Sequence, residues 1–430
     1  MNLEPSKRFL LLASSIGCAL ALAASAQAAE DRAIRFPDIP GYCTLKADFH
    51  QHTTFSDGKV WPNIRVEESV RDGLDAMAIT DHLEWQPHGV DLANPDRNRA
   101  FEIALYASRY PAGLSEGDYW LLEQYRNGRE DLVKAQDTLK ARPPGAEKEA
   151  KPQDILVIAG VEITRNAPLG HVNALFVKDA NRLRDEDPIA VLREASAQGA
   201  FLVWNHPWSL NRGAGSDGIA RMTEFHQRLL AEGLINGIEI ANTNSFSPEA
   251  LQIALDHNLA MFGASDIHGL IDWVYPAPEK HRPATLIFAR EKTEDSLHEA
   301  MRERRTVVWF NNTLIGRSEW LEPLIKASLA LRSRGYKPDR SRFTIQDRPD
   351  TSELVVEIKN TSDANFILRN LSSFTISDEA EVLTVPAHAT KRITVLTLQR
   401  IPEAMLRFEI LNAFVAPGRH PTLEWPLATD

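Results

Sequence analysis

Across residues 44–308 short apolar runs alternate with amphipathic segments, and this rhythm limits the possible folds more than any other feature of the chain. The runs are TLKADFH, AMAITDH, DILVIAGVEIT, HVNALFV, AFLVWNH, GIEIAN, LAMFGASD and ATLIFAR. Short, near-continuous apolar stretches rich in β-branched residues read as strands covered on both faces. Helical periodicity occupies residues 61–72, 188–198, 218–232, 248–257 and 293–304 between them. Ser247-Pro248 is a helix start, with a hydroxyl cap and proline at the first helical position. Repeated βα units predict a parallel sheet, and seven or eight of them predict a TIM-like barrel whose chemistry lies on the carboxyl-end face.

Two regions break the rhythm. Residues 85–153 start polar with PHGVDLANPDRNR, continue in the helical patterns AFEIALYASRY and DYWLLEQYRNGREDLVKAQDTLKA, and end in PPGAEKEAKPQ. This helical insertion follows a strand end that carries a candidate ligand, so it is expected either to overhang the pocket or to decorate the periphery. From about residue 336 to 430 the periodicity is two, as in SELVVEIKN, KRITVLTL and AMLRFEIL, which predicts a small β-sandwich. The expected organisation is a barrel over 29–310, a connection over 311–335 with an amphipathic helix around 319–332, and the sandwich after it.

Residues 1–28 read as a secretory signal: Lys7-Arg8, an apolar run to about Ala24, then Ala26-Gln27-Ala28 as a small-x-small cleavage site. Export to the periplasm or the medium is the expectation. Cys18 does not make a lipobox, because Ser15 stands where a Leu-like residue belongs. Cleavage leaves Cys43 alone, so an internal disulfide is excluded, and no second long apolar stretch predicts a membrane span. The net charge of −11, from 48 basic and 59 acidic residues, argues against a nucleic-acid partner, which needs a basic footprint.

Chemistry-bearing residues collect at the ends of the apolar runs. They are His50 and His52 in ADFHQHTTFSDG, Asp81-His82 in AITDH, Glu162 in VIAGVEIT, His171 in GHVNALF, His206 in VWNHP, and Asp266 with His268 in FGASDIHG. Residues i and i+2 of a strand point the same way, so His50 with His52, and Asp266 with His268, can each serve one metal from one strand end. Imidazoles and carboxylates converging on one face are what divalent transition metals bind. There is no G-x-S-x-G elbow, Walker A loop or dinucleotide fingerprint to compete.

The ordered set D-F-H-x-H-T-x-x-S-D-G, A-I-T-D-H, G-V-E-I-T, G-H-x-N, N-H-P and S-D-x-H resembles the PHP superfamily, named for polymerase and histidinol phosphatase. The signal and the appended β-module look most similar to a secreted phosphodiesterase branch. The resemblance implies a distorted (β/α)7 barrel, two or three divalent ions (Zn, Mn or Fe), and phosphoester cleavage. It implies one metal among His50, His52, Glu162 and Asp266, a second sharing Glu162 with His171 and His206, and a third at Asp57, His82 and His268. Many relatives carry histidine at the position of Asp57; an oxygen ligand there favours Mn or Fe over Zn. Asp48 and Asp81 are expected to orient imidazoles from behind. Paired metals lower the pKa of a bridging water and stabilise the leaving alkoxide, so Glu162, Asp266 and His268 carry the catalytic expectation. Phosphate also needs cationic donors, for which Arg165 and Arg282 are the first candidates and Arg97 and Arg99 the next. Trp61, Trp85, Trp208 and Trp273 are candidates to line a leaving-group pocket.

Hydrolysis of small organic phosphodiesters is the leading expectation, since an exported acidic chain repels polyanions. A phosphomonoesterase on the same site is the nearest alternative. An amidohydrolase-type enzyme also opens with H-x-H, but commonly bridges its metals with lysine, where this chain offers Glu162. A binding protein without turnover is the remaining alternative.

Overall fold

The computed structural model describes residues 32–54, 56–84, 155–183, 185–210, 217–338, 352–377 and 381–429. The expected secretory signal and the whole of the expected helical insertion, with Trp85, Arg97 and Arg99, lie outside the described residues.

All eight apolar runs form strands, in chain order β1 (Cys43–Asp48), β2 (Ala76–Ile79), β3 (Leu156–Thr164), β4 (His171–Leu175), β5 (Phe201–Trp204), β6 (Gly237–Asn242), β8 (Ala260–Ala264) and β9 (Ala284–Ala289), with a short β7 (Ser245–Phe246) after β6. Two further strands, β10 (Thr306–Phe310) and β11 (Thr313–Gly316), make a hairpin across Asn311 and Asn312, both at positive φ, the backbone that a two-residue turn between twisted strands requires. β2, β6, β8 and β9 are buried at every position, which explains their near-continuous apolar sequence.

The expected all-parallel sheet is corrected by the structure. β1–β2, β2–β3, β5–β6 and β6–β8 pair in parallel, but β3–β4, β4–β5, β1–β9 and β9–β10 pair antiparallel. Residues 165–170 alone join β3 to β4, too short a link for the crossover that a parallel pair needs. The sheet curls, yet its backbone ladder does not close among the described residues: β8 pairs β6 on one side only. Towards β9 and β10 hydroxyls do the joining. The Thr285 Oγ1 both accepts from Gly263 N and donates to Gly263 O at 3.0 Å, and Met261 N donates to Thr306 Oγ1 at 3.1 Å. Gly263 permits this approach, since a Cβ there would lie 2.5 Å from Val308 Cγ1.

Helices at Pro62–Arg71, Pro188–Ala197, Glu224–Ala231, Pro248–Asp256 and Glu294–Arg302 cover the sheet. Four start with a side-chain cap: Asp187, Thr223, Ser247 and Thr293 each accept from a backbone N–H in the first turn.

The following unit is a sandwich of two four-stranded sheets. Its strands are β12 (Leu329–Tyr336), β13 (Ser352–Asn360), β14 (Phe366–Asn370), β15 (Thr375–Ser377), β16 (Val382–Val385), β17 (Thr390–Thr397), β18 (Glu403–Ile410) and β20 (Thr422–Ala428), and a short β19 (Ala413–Phe414) between β18 and β20 belongs to neither of its sheets. The orders are β12-β13-β17-β15 and β16-β14-β18-β20. β18 alternates exposed and buried residues, as the period of two requires. The connecting helix is shorter than expected: it spans Ser318–Ser328, and Leu329 begins β12 opposite Asn360 of β13. Leu329 and Leu331 fit either period, and pairing with β13 decides for the strand.

One apolar cluster joins the two units. Leu321, Leu324 and Ile325 of this helix pack with Phe288 of β9 and with Val356 and Phe366 of the sandwich. Leu324→Ala is expected to cost about 2–5 kcal/mol, and because the core is shared, calorimetry should show one unfolding transition that moves as a whole. Two separated transitions would contradict a common core. The sandwich also lends β19 to the large sheet, where it pairs in parallel with β11 through Leu314–Ala413 and Ile315–Phe414.

Candidate metal centre

His50 and His52 follow β1 on backbone that is pinned from both sides. Thr80 N donates to Gln51 O at 2.8 Å, Asp266 N to His50 O at 2.9 Å and His52 N to Ile267 O at 3.0 Å. His82 follows β2 and bridges to Glu162 within β3, His171 opens β4, His206 follows β5, and Asp266 with His268 follows β8. Asp57 comes from the loop after His52. His206 (φ 25°) and Asp266 (φ 50°) have positive φ, a conformation that side-chain-bearing residues seldom adopt and that concentrates at functional sites.

The structure brings all nine expected ligands together, with Glu162 at the middle. His50 Nε2 lies 3.3 Å from both Glu162 Oε1 and Asp266 Oδ1, and His52 Nε2 lies 3.1 Å from Asp266 Oδ1. His171 Nδ1 is 3.0 Å from Glu162 Oε1, His206 Nε2 is 3.7 Å from the same oxygen, and His82 Nδ1 is 2.5 Å from Glu162 Oε2. Asp57 Oδ1 is 3.1 Å from His268 Nε2 and 3.4 Å from His82 Nε2. Four overlapping groups have ligand atoms close enough to share an ion: His52-Asp57-His82-His268, His50-His206-Asp266, His50-His52-Glu162 and Glu162-His171-His206.

These groups fit a divalent ion. The Nε2 atoms of His50 and His52 are fully buried yet make no hydrogen bond of proper geometry, although carboxylate oxygens lie near them. Other ring nitrogens are held by protein oxygens: His50 Nδ1 by Glu239 at 2.7 Å, His206 Nδ1 by Ser209 Oγ at 2.5 Å, and His268 Nδ1 by Asp266 O at 2.8 Å. Such partners fix tautomer and ring orientation while the opposite nitrogen faces the centre.

Burial pushes the Glu162 carboxyl up, but the charge on His50 and hydrogen bonds from His171, His206 and His50 hold it well below the ordinary range. Asp266 and Asp57 are held down in the same way against burial, Asp266 chiefly by His50 and His52 and Asp57 by His268 and His82. Burial lowers His82, and its hydrogen bonds with Asp57 and Glu162 more than reverse this, to about 10. A cation taking the place of that proton must displace it. Apparent metal affinity should therefore rise with pH until about 10 is passed, which calorimetric titration of metal-free protein at several pH values can check. A flat profile would contradict the competition.

Two expectations about supporting residues are corrected. Asp48 touches no imidazole-ring nitrogen among its described bonds; it accepts from Ser265 Oγ at 2.6 Å, from Ser265 N at 3.1 Å and from the backbone N of His50 at 3.4 Å, and pairs with Arg282. Arg282 is not a phosphate donor in the pocket: it is buried, with Nη2 2.8 Å from Asp72 Oδ2 and Nη1 3.1 Å from Asp48 Oδ2. Asp81 acts through Ser56, whose Oγ donates to it at 2.6 Å and sits 3.4 Å from His52 Nδ1. Glu239 went unnoticed in the sequence, although a carboxylate inside the otherwise apolar GIEIAN was a signal for it.

A cavity of about 540 Å³ opens over the cluster, lined beyond the ligands by Arg165, Asn166, Gly170, Trp204, Ser209 and Leu210, among others. Arg165 is there as expected, with Nε 2.7 Å from Glu84 Oε1 and Nη2 donating to Asp185 O at 2.6 Å. Trp61, Trp208 and Trp273 do not line it: Trp61 and Trp208 pack on apolar clusters and Trp273 is 66% exposed.

A two-domain protein from Bacteroides vulgatus containing a predicted PHP-like metal-dependent phosphoesterase is 32% identical, with a TM-score of 0.69, over 92% of this chain and 98% of that one. This chain belongs to the PHP-like metal-dependent phosphoesterases. Residues 342–426 match the DUF5001 family model, an Ig-like domain, so this PHP-like phosphoesterase carries an Ig-like module on its C-terminal side. A proposed metal-dependent phosphoesterase from Bifidobacterium adolescentis matches at 15% identity and a TM-score of 0.31, over 59% of this chain and 95% of that one. An amidohydrolase from Chromobacterium violaceum matches at 15% identity and a TM-score of 0.27, over 53% and 89%. No curated protein matches the chain.

Proposed function

We propose that this PHP-like phosphoesterase hydrolyses small organic phosphodiesters with two or three divalent ions, Zn, Mn or Fe. The observation that carries the reading is the position of Glu162, fully buried and shared by two of the candidate ion groups. His50, His52, Glu162 and Asp266 would hold one ion, Glu162, His171 and His206 a second, and Asp57, His82 and His268 a third. When bound, such ions supply Lewis acidity at the phosphoryl group and acidify water. The chain's own part is to place the ester: Arg165 reaches the cavity to grip phosphoryl oxygens, and Leu210 and Trp204 give the leaving group an apolar wall. Arg165 is the only arginine or lysine among the described residues lining that cavity, and Glu84 already offsets part of its charge. That suits the single negative charge of a diester better than the double charge of a monoester.

The remaining readings follow the sequence. We take the curled sheet as a distorted (β/α)7 barrel opened along the β8–β9 seam, and residues 1–28 as a signal for export to the periplasm or medium. No helix among the described residues is long and apolar enough to cross a membrane.

Purified residues 29–430, loaded with Mn or Zn, should cleave a bis-aryl phosphate faster than an aryl monophosphate and leave amide and lactone substrates intact, and a chelator should stop the reaction. Faster monoester turnover would move the assignment to a phosphomonoesterase. Asp57→Ala should lower bound metal by about one ion per chain in elemental analysis; unchanged stoichiometry would remove Asp57 from the ligand set.

A further inference from the structure

Glu239 stands inside β6, 1% exposed, where a solvent-facing carboxylate would be expected from the alternation of its neighbours. Glu239 is in register opposite Phe262 of β8, and the ladder becomes irregular just after it. Register slips between Glu239 and Ala241, so Ile240 is the extra residue of a bulge, a device that re-aims side chains beside active sites. No lysine or arginine pairs with Glu239 among the described residues; its one ion-pair contact is His50.

Its two oxygens are divided between two ligands of the metal centre. Oε1 lies 2.7 Å from His50 Nδ1, and Oε2 accepts from His206 N at 2.8 Å and from Asn242 Nδ2 at 2.9 Å. An ionised carboxylate only accepts, so His50 Nδ1 must carry a proton, and Nε2, which faces Glu162 and Asp266, is the nitrogen left to offer a lone pair to an ion. The bond to His206 N holds the positive φ of that residue, and Ser209 Oγ at 2.5 Å from Nδ1 fixes its ring. The two ligands come from the ends of β1 and β5, and Glu239 ties one to the other.

We propose that Glu239 is a positioning residue of the metal centre, holding the Nδ1-protonated tautomer of His50 and the left-handed backbone of His206 so that both Nε2 atoms face one ion. It rests on the metal-centre reading above and adds a residue outside the nine ligands. Glutamine cannot reproduce the arrangement. Its single carbonyl oxygen serves either His50 or His206, and its amide N–H₂ then meets a donor at His206 or forces the proton of His50 onto Nε2, where it blocks an ion.

The test uses metal-free wild type and Glu239→Gln, both checked for folding by circular dichroism, titrated with Co(II) and Zn(II). The variant should bind about 10- to 100-fold more weakly, with an altered Co(II) visible spectrum, a change that a purely structural role would not produce. Zinc-loaded wild type, read by ¹⁵N NMR of histidine-labelled protein, should show His50 protonated on Nδ1. A folded variant with wild-type affinity and spectrum would overturn the proposal. Should the variant not fold, the wild-type spectrum still decides: an unprotonated Nδ1 on His50 overturns the proposal, and a protonated one supports it. Wild type that binds neither ion would remove the metal-centre reading itself, which distinguishes that failure from failure of the Glu239 assignment alone.

Discussion

Glu162→Ala should reduce chelator-sensitive phosphodiester hydrolysis on the order of 10³-fold or more, and elemental analysis should find at least one ion missing per chain. The size follows from the number of groups that meet this one side chain. Its oxygens lie within 3.9 Å of ring nitrogens of His50, His52, His82, His171 and His206, and Asn205 Nδ2 donates to Oε1 at 2.9 Å. Removing it takes away the carboxylate that these five imidazoles share. Glu162→Gln separates shape from charge: it keeps the volume, but an amide is a poor bridge between cations, so it should be nearly as inactive while unfolding closer to wild type. Wild-type metal content and turnover in either variant would refute the central role assigned to Glu162.

Arg282→Met carries the largest expected stability effect. Arg282 is buried and spans Asp72 and Asp48, with Nε 2.9 Å from Asp72 Oδ2 and Nη1 3.1 Å from Asp48 Oδ2. Asp72 keeps Arg32, whose Nε is 2.6 Å away, whereas Asp48 keeps no other guanidinium partner among the described residues. Breaking a buried pair from one side costs about 3–5 kcal/mol, because the remaining charge stays buried without compensation. Urea denaturation should show that loss, and Arg282→Lys should recover little of it, since an ammonium cannot reach two carboxylates with the same fork. Burial already raises the Asp48 carboxyl, with Arg282 opposing it. Without Arg282 the folded-state pKa of Asp48 rises further above its unfolded value, so the deficit is largest near neutral pH and shrinks as acid protonates Asp48. A loss below about 1 kcal/mol would mean that the network is far more solvated than its burial indicates. Asp48 also holds Ser265, next to Asp266, so metal affinity should fall with stability.

Apart from Asp57, which comes from a loop, the candidate ligands were legible because they stand at or near the end of an apolar run, and a strand end needs no long-range knowledge to locate. His50, Glu162 and Asp266 are of this kind. Arg282 was not legible: it follows the same rule of lying beside a strand, but its partners are 210 and 234 positions away in sequence, and only the fold reveals that both aspartates are buried with it. Glu239 was obscured by the alternation in GIEIAN, which suggests one solvated face, whereas β6 is covered on both. The antiparallel β3–β4 pair could have been read from the brevity of residues 165–170, a local constraint that the repeating βα rhythm outweighed.

The pairing of β19 with β11 has a consequence for solubility. Without it, β11 would be the last strand of the curled sheet, with a row of backbone donors and acceptors open to any extended chain that meets it. The Ig-like module thus works as an edge guard against strand-to-strand aggregation. The phosphoesterase unit cut away from it would lose that guard and expose the apolar surface of Leu321 and Leu324 at the same time, a combination that favours self-association over an independent catalytic fragment.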